Sequence, residues 1–127
     1  MRLLGIDYGL KRIGLAVAEG GLPYPLEVIL NQPGVVQKIK KICEKYQVEK
    51  IVLGLPDGKL KKLVEKFGQE LNSDIYLPVV FQDETLTSRE AIVKMVAAGK
   101  KRKLRRARED AFAATLILQA YLTNKEN

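Results

Sequence analysis

The hydrophobic positions of this chain follow two periods, which predict strands alternating with helices. Residues 2–8 and 50–55 are almost continuously apolar, as is typical of strands buried on both faces. Residues 12–18 are predicted to pair with the first strand as a hairpin, because a short turn-forming segment separates the two runs. Residues 25–31 alternate in polarity and predict an edge strand, and residues 75–82 predict a fifth strand.

Apolar residues at three- and four-residue spacing predict amphipathic helices between and after these strands. The first helix follows Pro33, and its apolar face consists of Val35, Val36, Ile39, Ile42, Cys43 and Tyr46. The second covers residues 60–71, and its predicted inward face consists of Leu60, Leu63, Val64, Phe67 and Leu71. A capping box at residues 87–90 predicts a helix that ends near Ala98. A last helix is predicted over about residues 107–122.

The order of these elements predicts the fold class. Three adjacent strands come first, and a helix, a strand, a helix, a strand and further helices follow. This order is typical of α/β proteins in which a mixed five-stranded sheet carries helices on both faces. A length of 127 residues suits one domain, so residues 1–127 are predicted to form a single domain.

The composition excludes several classes of site. The chain has no His, which excludes a His general base, a Ser-His-Asp triad and a His-ligated metal. It has one Cys, which excludes disulfides and Cys-rich zinc sites, and Cys43 is interpreted as a small core residue. Catalysis would therefore use carboxylates, Lys, Tyr, Ser or Thr, or a hard cation bound by oxygen ligands.

The net charge of +7 is concentrated in one segment. Seven of the nine residues 100–108 are basic, and the rest of the chain carries 15 basic and 15 acidic residues. A basic segment on a neutral body favours a nucleic-acid partner, although a solvated basic loop is the alternative. The predicted nucleic-acid contacts in this segment are Lys100, Lys101, Arg102, Lys103, Arg105, Arg106 and Arg108. Lys11, Arg12 and Arg89 are further candidates for phosphate contacts.

No signal peptide and no run of about 20 apolar residues is visible, so we expect a cytoplasmic protein without a membrane partner. A monomer and a dimer are both compatible with the sequence.

Acidic residues at strand ends mark the candidate site. Asp7 interrupts an otherwise uncharged strand, where an unpaired carboxylate costs several kcal/mol in desolvation. Asp83 and Glu84 follow the last predicted strand, at the sheet edge where ligands of such folds usually bind. If the first and last strands are parallel neighbours, these carboxylates meet at one edge. Only one of Asp83 and Glu84 is expected to point inward.

Asp110 is the remaining candidate acid. It shares one helical face with Ala114, Ile117 and Tyr121, so we expect its side chain to point at the sheet from the first turn of the last helix. The alternative is that it only offsets the helix dipole. Converging carboxylates would repel one another unless a cation joined them, and oxygen ligands select Mg²⁺ or Mn²⁺. Together with the adjacent basic segment, such a site predicts a metal-dependent nuclease.

The same residues carry a resemblance to a known family. GIDYGLKRIGLAVA at residues 5–18, IVLGLP at 51–56, DETLTS at 83–88 and REDAFAATLILQAYL at 108–122 resemble the YqgF/RuvX family of pre-16S rRNA nucleases and Holliday-junction resolvase-like proteins. The resemblance implies an RNase H-like fold and a catalytic metal site formed by Asp7, Asp110 and one acid of the 83–84 pair. Glu84 is favoured over Asp83, because resolvase-like sites resemble Asp-Glu-Asp.

The resemblance also implies a function and a partner. It favours RNA over DNA, namely 5′-end processing of pre-16S rRNA in the precursor of the small ribosomal subunit. A Holliday-junction DNA resolvase and a non-catalytic RNA- or ribosome-binding module are alternatives. A phosphotransfer domain is a third alternative, because Asp7-Tyr8-Gly9 followed by Gly14 resembles a phosphate loop of actin- and hexokinase-like folds.

Overall fold

The structure is a computed structural model that describes the backbone of residues 1–83 and 102–126 and the side chains of residues 1–83 and 110–124. Five strands and three helices are described within these ranges. They are β1 (Arg2–Tyr8), β2 (Arg12–Glu19), β3 (Leu22–Leu30), α1 (Val35–Lys45), β4 (Lys50–Leu55), α2 (Leu60–Ile75), β5 (Val79–Asp83) and α3 (Arg102–Glu126). The helix predicted from the capping box at residues 87–90 lies outside the described residues.

The strands form one mixed sheet in the order β3-β2-β1-β4-β5. β1, β2 and β3 are antiparallel neighbours, whereas β4 is parallel to both β1 and β5. The predicted mixed five-stranded sheet is therefore confirmed. The first and last strands are parallel but are not direct neighbours, because β4 lies between them. Their carboxyl ends still lie at the same edge of the sheet, since both strands run parallel to β4.

The two faces of the sheet are covered by different helices, as predicted. On one face, α1 and α2 bury large aliphatic side chains such as Leu4, Ile6 and Leu53 against Ile39 and Leu71. On the other face, α3 packs on the sheet through a smaller cluster. In this cluster, Ala114, Ile117 and Leu118 of α3 lie against Leu3, Ala16, Ala18 and Val52 of the sheet. Small residues on this second face allow the helix to approach the sheet closely.

The boundary between α2 and β5 differs from the prediction. Residue 75 was expected to begin a strand, but Ile75 is the last residue of α2 and is buried. The chain then turns at Tyr76, which adopts a left-handed conformation with φ of 64°, and the Asn72 amide donates a hydrogen bond to the Leu77 carbonyl at 3.0 Å. A short apolar run is ambiguous between strand and helix.

The inward face of α2 also differs from the prediction at one position. Leu63, predicted to face inward, is instead 45% exposed.

Two other elements begin earlier than predicted. β3 begins at Leu22 rather than residue 25, because its pairing with β2 continues through Pro23 to Leu22 at the open edge of the sheet. α3 begins at Arg102 rather than near residue 107. The basic segment is thus helical from Arg102 onward, and Asp110 lies about two turns inside the helix instead of in its first turn. None of the described helices is long and apolar enough to cross a bilayer.

Candidate active site

Asp7 is the only buried charged side chain among the described residues, with 5% exposure. Strand alternation puts Asp7 on the same face as Leu3 and Gly5, which is the face covered by α3. It occupies the carboxyl end of β1, where the register pairs it with Gly14 of β2. Residues that pair across a ladder share a face, so Gly14 also faces α3.

Gly14 is a position where the backbone of α3 lies directly against the sheet. A Cβ atom built on Gly14 would overlap the carbonyl oxygen of Asp110 and would lie 3.1 Å from the amide nitrogen of Ala111. Only glycine allows this approach, because the atoms that it meets belong to the helix backbone and cannot rotate away. Asp7 pairs with Gly14, and the Asp110 backbone lies against Gly14. The fold therefore brings Asp7 and Asp110 near each other at the carboxyl end of β1.

The Asp110 side chain is held by an ion pair. Arg12 Nε donates a hydrogen bond to Asp110 Oδ2 at 2.8 Å, and the two side chains are 38% and 20% exposed, respectively. Arg12 lies at the beginning of β2, two residues before Gly14, on the same face of the sheet. Sequence reasoning assigned Arg12 to nucleic-acid binding, whereas the structure places its guanidinium on a candidate metal ligand.

The third carboxylate would come from the end of β5. In the parallel register, Asp83 pairs with Leu55, which packs with the α1–α2 layer. Asp83 therefore lies on the face opposite to Asp7. Gln82 lies on the α3 face, where its Oε1 accepts a hydrogen bond from Asn124 at 3.4 Å. Glu84 lies outside the described residues.

The donor chemistry of the described carboxylates fits a hard divalent cation. Asp7 and Asp110 supply only oxygen atoms, which suits Mg²⁺ or Mn²⁺ rather than zinc. Within residues 1–83 and 110–124, no group of three His, Cys, Asp or Glu side chains is close enough to hold a metal ion. Asp7 and Asp110 are the two candidate acids on the α3 face whose side chains the structure describes, and their role as metal ligands stays a prediction.

The basic candidates are only partly described. Lys11 is exposed in the turn between β1 and β2, next to Arg12 at the site edge of the sheet. Arg89, Lys100 and Lys101 lie outside the described residues. The remaining members of the basic segment, Arg102, Lys103, Arg105, Arg106 and Arg108, lie in α3, and their side chains are outside the described part of the chain.

Sequence reasoning missed two features of this site. It did not identify Gly14 as a position of close approach between β2 and α3, although a glycine inside an apolar strand is a signal of close backbone approach. It also did not pair Arg12 with Asp110, because 98 residues separate them and only the tertiary fold brings them together.

Comparisons with known proteins agree with this architecture. The sequence profile of the RuvX family, described as Holliday junction resolvase, matches residues 1–124. A Rickettsia typhi protein named "Putative pre-16S rRNA nuclease" is 41% identical over 130 residues, covering 94% of this chain and 83% of the relative. A protein of the same name from Sulfurihydrogenibium sp. is 37% identical over 131 residues, covering 95% of this chain and 89% of the relative.

Solved structures share the fold at low sequence identity. Thermus thermophilus RuvC in complex with a Holliday junction superposes with a TM-score of 0.62 at 16% identity, covering 99% of this chain and 96% of that one. The fowlpox virus resolvase bound to Holliday junction DNA gives a TM-score of 0.63 at 10% identity and full coverage of both chains. These likenesses confirm the predicted RNase H-like fold.

Proposed function

Because the chain belongs to the RuvX family, we propose that it is a divalent-metal-dependent nuclease that hydrolyses phosphodiester bonds in structured nucleic acid. The convergence of Asp7 and Asp110 at Gly14 carries this proposal. The buried Asp7 carboxylate and the carboxylate of Asp110, whose backbone lies against Gly14, would form an oxygen-only site at the sheet edge where such folds bind ligands.

The proposal assigns a role to each acidic residue. Asp7 and Asp110 would hold Mg²⁺ or Mn²⁺, which when bound supplies an activated water and neutralises charge on the leaving oxygen. Glu84 is proposed as the third ligand in preference to Asp83, because Asp83 pairs with Leu55 on the opposite face of the sheet. Lys11, Arg89 and the basic segment at residues 100–108 would bind the phosphate backbone without reading its sequence.

The proposed substrate is the 5′ end of precursor 16S rRNA, which makes the small-subunit precursor the proposed partner and favours RNA over DNA. The names of the curated relatives support this substrate. A four-way DNA junction is the second candidate, because two structural neighbours are bound to Holliday junctions. A cytoplasmic location accords with either substrate.

Cleavage assays with matched variants test the proposal. Precursor 16S rRNA, a four-way DNA junction and plain duplex DNA are each incubated with the chain in Mg²⁺, in Mn²⁺ or in a chelator. We expect metal-dependent cleavage of the precursor RNA. Asp7→Asn should slow it about 100-fold or more, because a lost metal ligand removes several kcal/mol of transition-state stabilisation. Absence of metal-dependent cleavage of every substrate would favour a binding module instead.

The assignment of the third ligand has its own test. Glu84→Gln and Asp83→Asn remove one charge each from adjacent positions. Glu84→Gln is expected to reduce cleavage as strongly as Asp7→Asn, whereas Asp83→Asn should retain cleavage within a few fold of the wild-type rate. The reverse order of effects would make Asp83 the ligand.

A further inference from the structure

The ion pair between Arg12 and Asp110 places a cation on a proposed metal ligand. Arg12 Nε lies 2.8 Å from Asp110 Oδ2, within ion-pair distance. A guanidinium remains charged at any pH that the folded chain meets. A divalent cation bound to Asp110 would therefore meet a permanent positive charge at contact distance unless the guanidinium moves away.

The two partners differ in their freedom to move. The Asp110 backbone is fixed, because its carbonyl lies against Gly14, where no side chain fits between helix and sheet. The Arg12 side chain is 38% exposed and long, so its guanidinium can swing toward solvent. If one of the partners leaves the pair, it is Arg12.

We propose that Arg12 competes with the divalent cation for the Asp110 carboxylate and, once displaced, binds a phosphate of the nucleic acid. This inference rests on the proposed function, because it takes Asp110 as a metal ligand. Arg12 is then a positioning residue that couples the two binding events. The cation releases the guanidinium, and a guanidinium is well suited to a phosphate because its planar fork matches the phosphate oxygens.

A purely structural role makes the opposite prediction. If the ion pair only held α3 against β2, its loss would loosen Asp110 and weaken metal binding. If Arg12 competes with the cation, its loss removes a like charge from the metal site and strengthens metal binding. The direction of the change in metal affinity therefore separates the two roles.

Calorimetric titration of the full chain with Mn²⁺ measures this direction. Arg12→Gln is expected to bind Mn²⁺ about five- to tenfold more tightly than the wild type, at the low end of usual coupling between sites. Arg12→Met, a second neutral variant, should show the same gain, and Arg12→Lys should stay near the wild-type affinity because it keeps the charge. Unchanged or weaker Mn²⁺ binding in both neutral variants would overturn the proposal.

The chain offers a matched control at the other end of the same hairpin. Arg2 pairs with Glu19 at 2.9 Å, where β1 begins and β2 ends. Arg2→Gln removes the same charge from a comparable ion pair, so it should leave Mn²⁺ affinity within about twofold of the wild type, since screening weakens exposed charges at this distance. A gain in Arg2→Gln equal to that in Arg12→Gln would show a general charge effect and would overturn the proposal.

The second half of the proposal is measured with nucleic acid. The fluorescence anisotropy of a labelled precursor RNA is recorded before cleavage, with Mn²⁺ and with a chelator. Mn²⁺ should raise RNA affinity about fivefold more in the wild type than in Arg12→Gln, because only the wild type releases a guanidinium. An equal rise in both proteins would refute the proposed contact between Arg12 and a phosphate of the RNA.

Asp110→Asn separates failure of this inference from failure of the proposed function. If the wild type binds Mn²⁺ and Asp110→Asn binds it more weakly, Asp110 is a ligand and the Arg12 variants decide the inference. If Asp110→Asn binds Mn²⁺ as tightly as the wild type, Asp110 is not a ligand, and the metal-site assignment and this inference both fall.

Discussion

Gly14→Ala is the substitution that tests the site geometry most directly. The added Cβ would overlap the Asp110 carbonyl oxygen and would lie 3.1 Å from the Ala111 amide nitrogen. Both of these atoms belong to the backbone of α3, so no rotamer change relieves the overlap. The helix must move away from β2, and Asp110 must move away from Asp7.

The size of this effect follows from the contact. A carbon atom and a carbonyl oxygen ordinarily approach to about 3.3 Å, so the overlap requires a shift of about 1 Å or more. Overpacking of this kind costs about 1–3 kcal/mol of unfolding free energy. For a chain of this length, the cost lowers the Tm by roughly 4–12 °C. A displacement of about 1 Å between catalytic groups reduces the rate about 100-fold.

Gly21→Ala provides the matched control. Gly21 adopts φ of 81° in the turn between β2 and β3, and no atom lies within 4 Å of its built Cβ. Alanine there costs about 1–2 kcal/mol through backbone strain alone, and the turn is at the end of β2 away from Asp7. Both variants should lose Tm in a thermal melt, but only Gly14→Ala should lose Mn²⁺-dependent cleavage. Cleavage by Gly14→Ala at the rate of Gly21→Ala would refute the reasoning.

Three further predictions concern Cys43 and the basic segment. Burial, with a smaller contribution from Glu44, raises the pKa of the Cys43 thiol from 9.0 to about 12, so a thiol reagent at pH 8 should label it only after denaturant is added. The unfolded chain releases this proton near pH 9 and the folded chain does not, so the unfolding free energy of the wild type should fall relative to Cys43→Ala between pH 9 and pH 12. Changing Lys101, Arg102, Arg105 and Arg106 to Gln should flatten a log–log salt slope of about −2 to −4 for single-stranded substrate, which binding titrations at several salt concentrations measure. An unchanged slope would indicate that the basic segment promotes solubility and does not bind the phosphate backbone.

The two central strands β1 and β4 were predictable because their burial leaves a clear hydrophobic pattern in the sequence. β1 and β4 are buried on both faces and read as continuous apolar runs, and their predicted bounds match the structure. The end of α2 was not predictable from periodicity, because Ile75 is apolar in either a helix or a strand. The left-handed turn at Tyr76 decides the boundary, and a tyrosine gives no sequence signal for that conformation.

The positions of the candidate acids could be predicted from the sequence, but the contacts of their side chains could not. A charged residue inside an apolar strand made Asp7 a candidate, and helical spacing predicted that Asp110 lies on the helix face that packs on the sheet. Ala114 and Ile117 on the same face of α3 are indeed buried. The partner of Asp110 was not predictable, because an exposed-looking arginine at a hairpin turn has no sequence signature of an ion pair.

The small residues of the α3 face determine how closely α3 approaches the sheet at the candidate site. On the α1–α2 face, Leu4 and Ile6 hold the helices away from the sheet by the size of their side chains. On the α3 face, Gly5 lies so close to the helix that an added Cβ would come within 2.5 Å of Leu118 Cγ. Gly14 continues this close packing to the site edge. In the proposed function the acidic side chains supply the chemistry of the site, and glycine at two strand positions allows α3 to lie this close to the sheet.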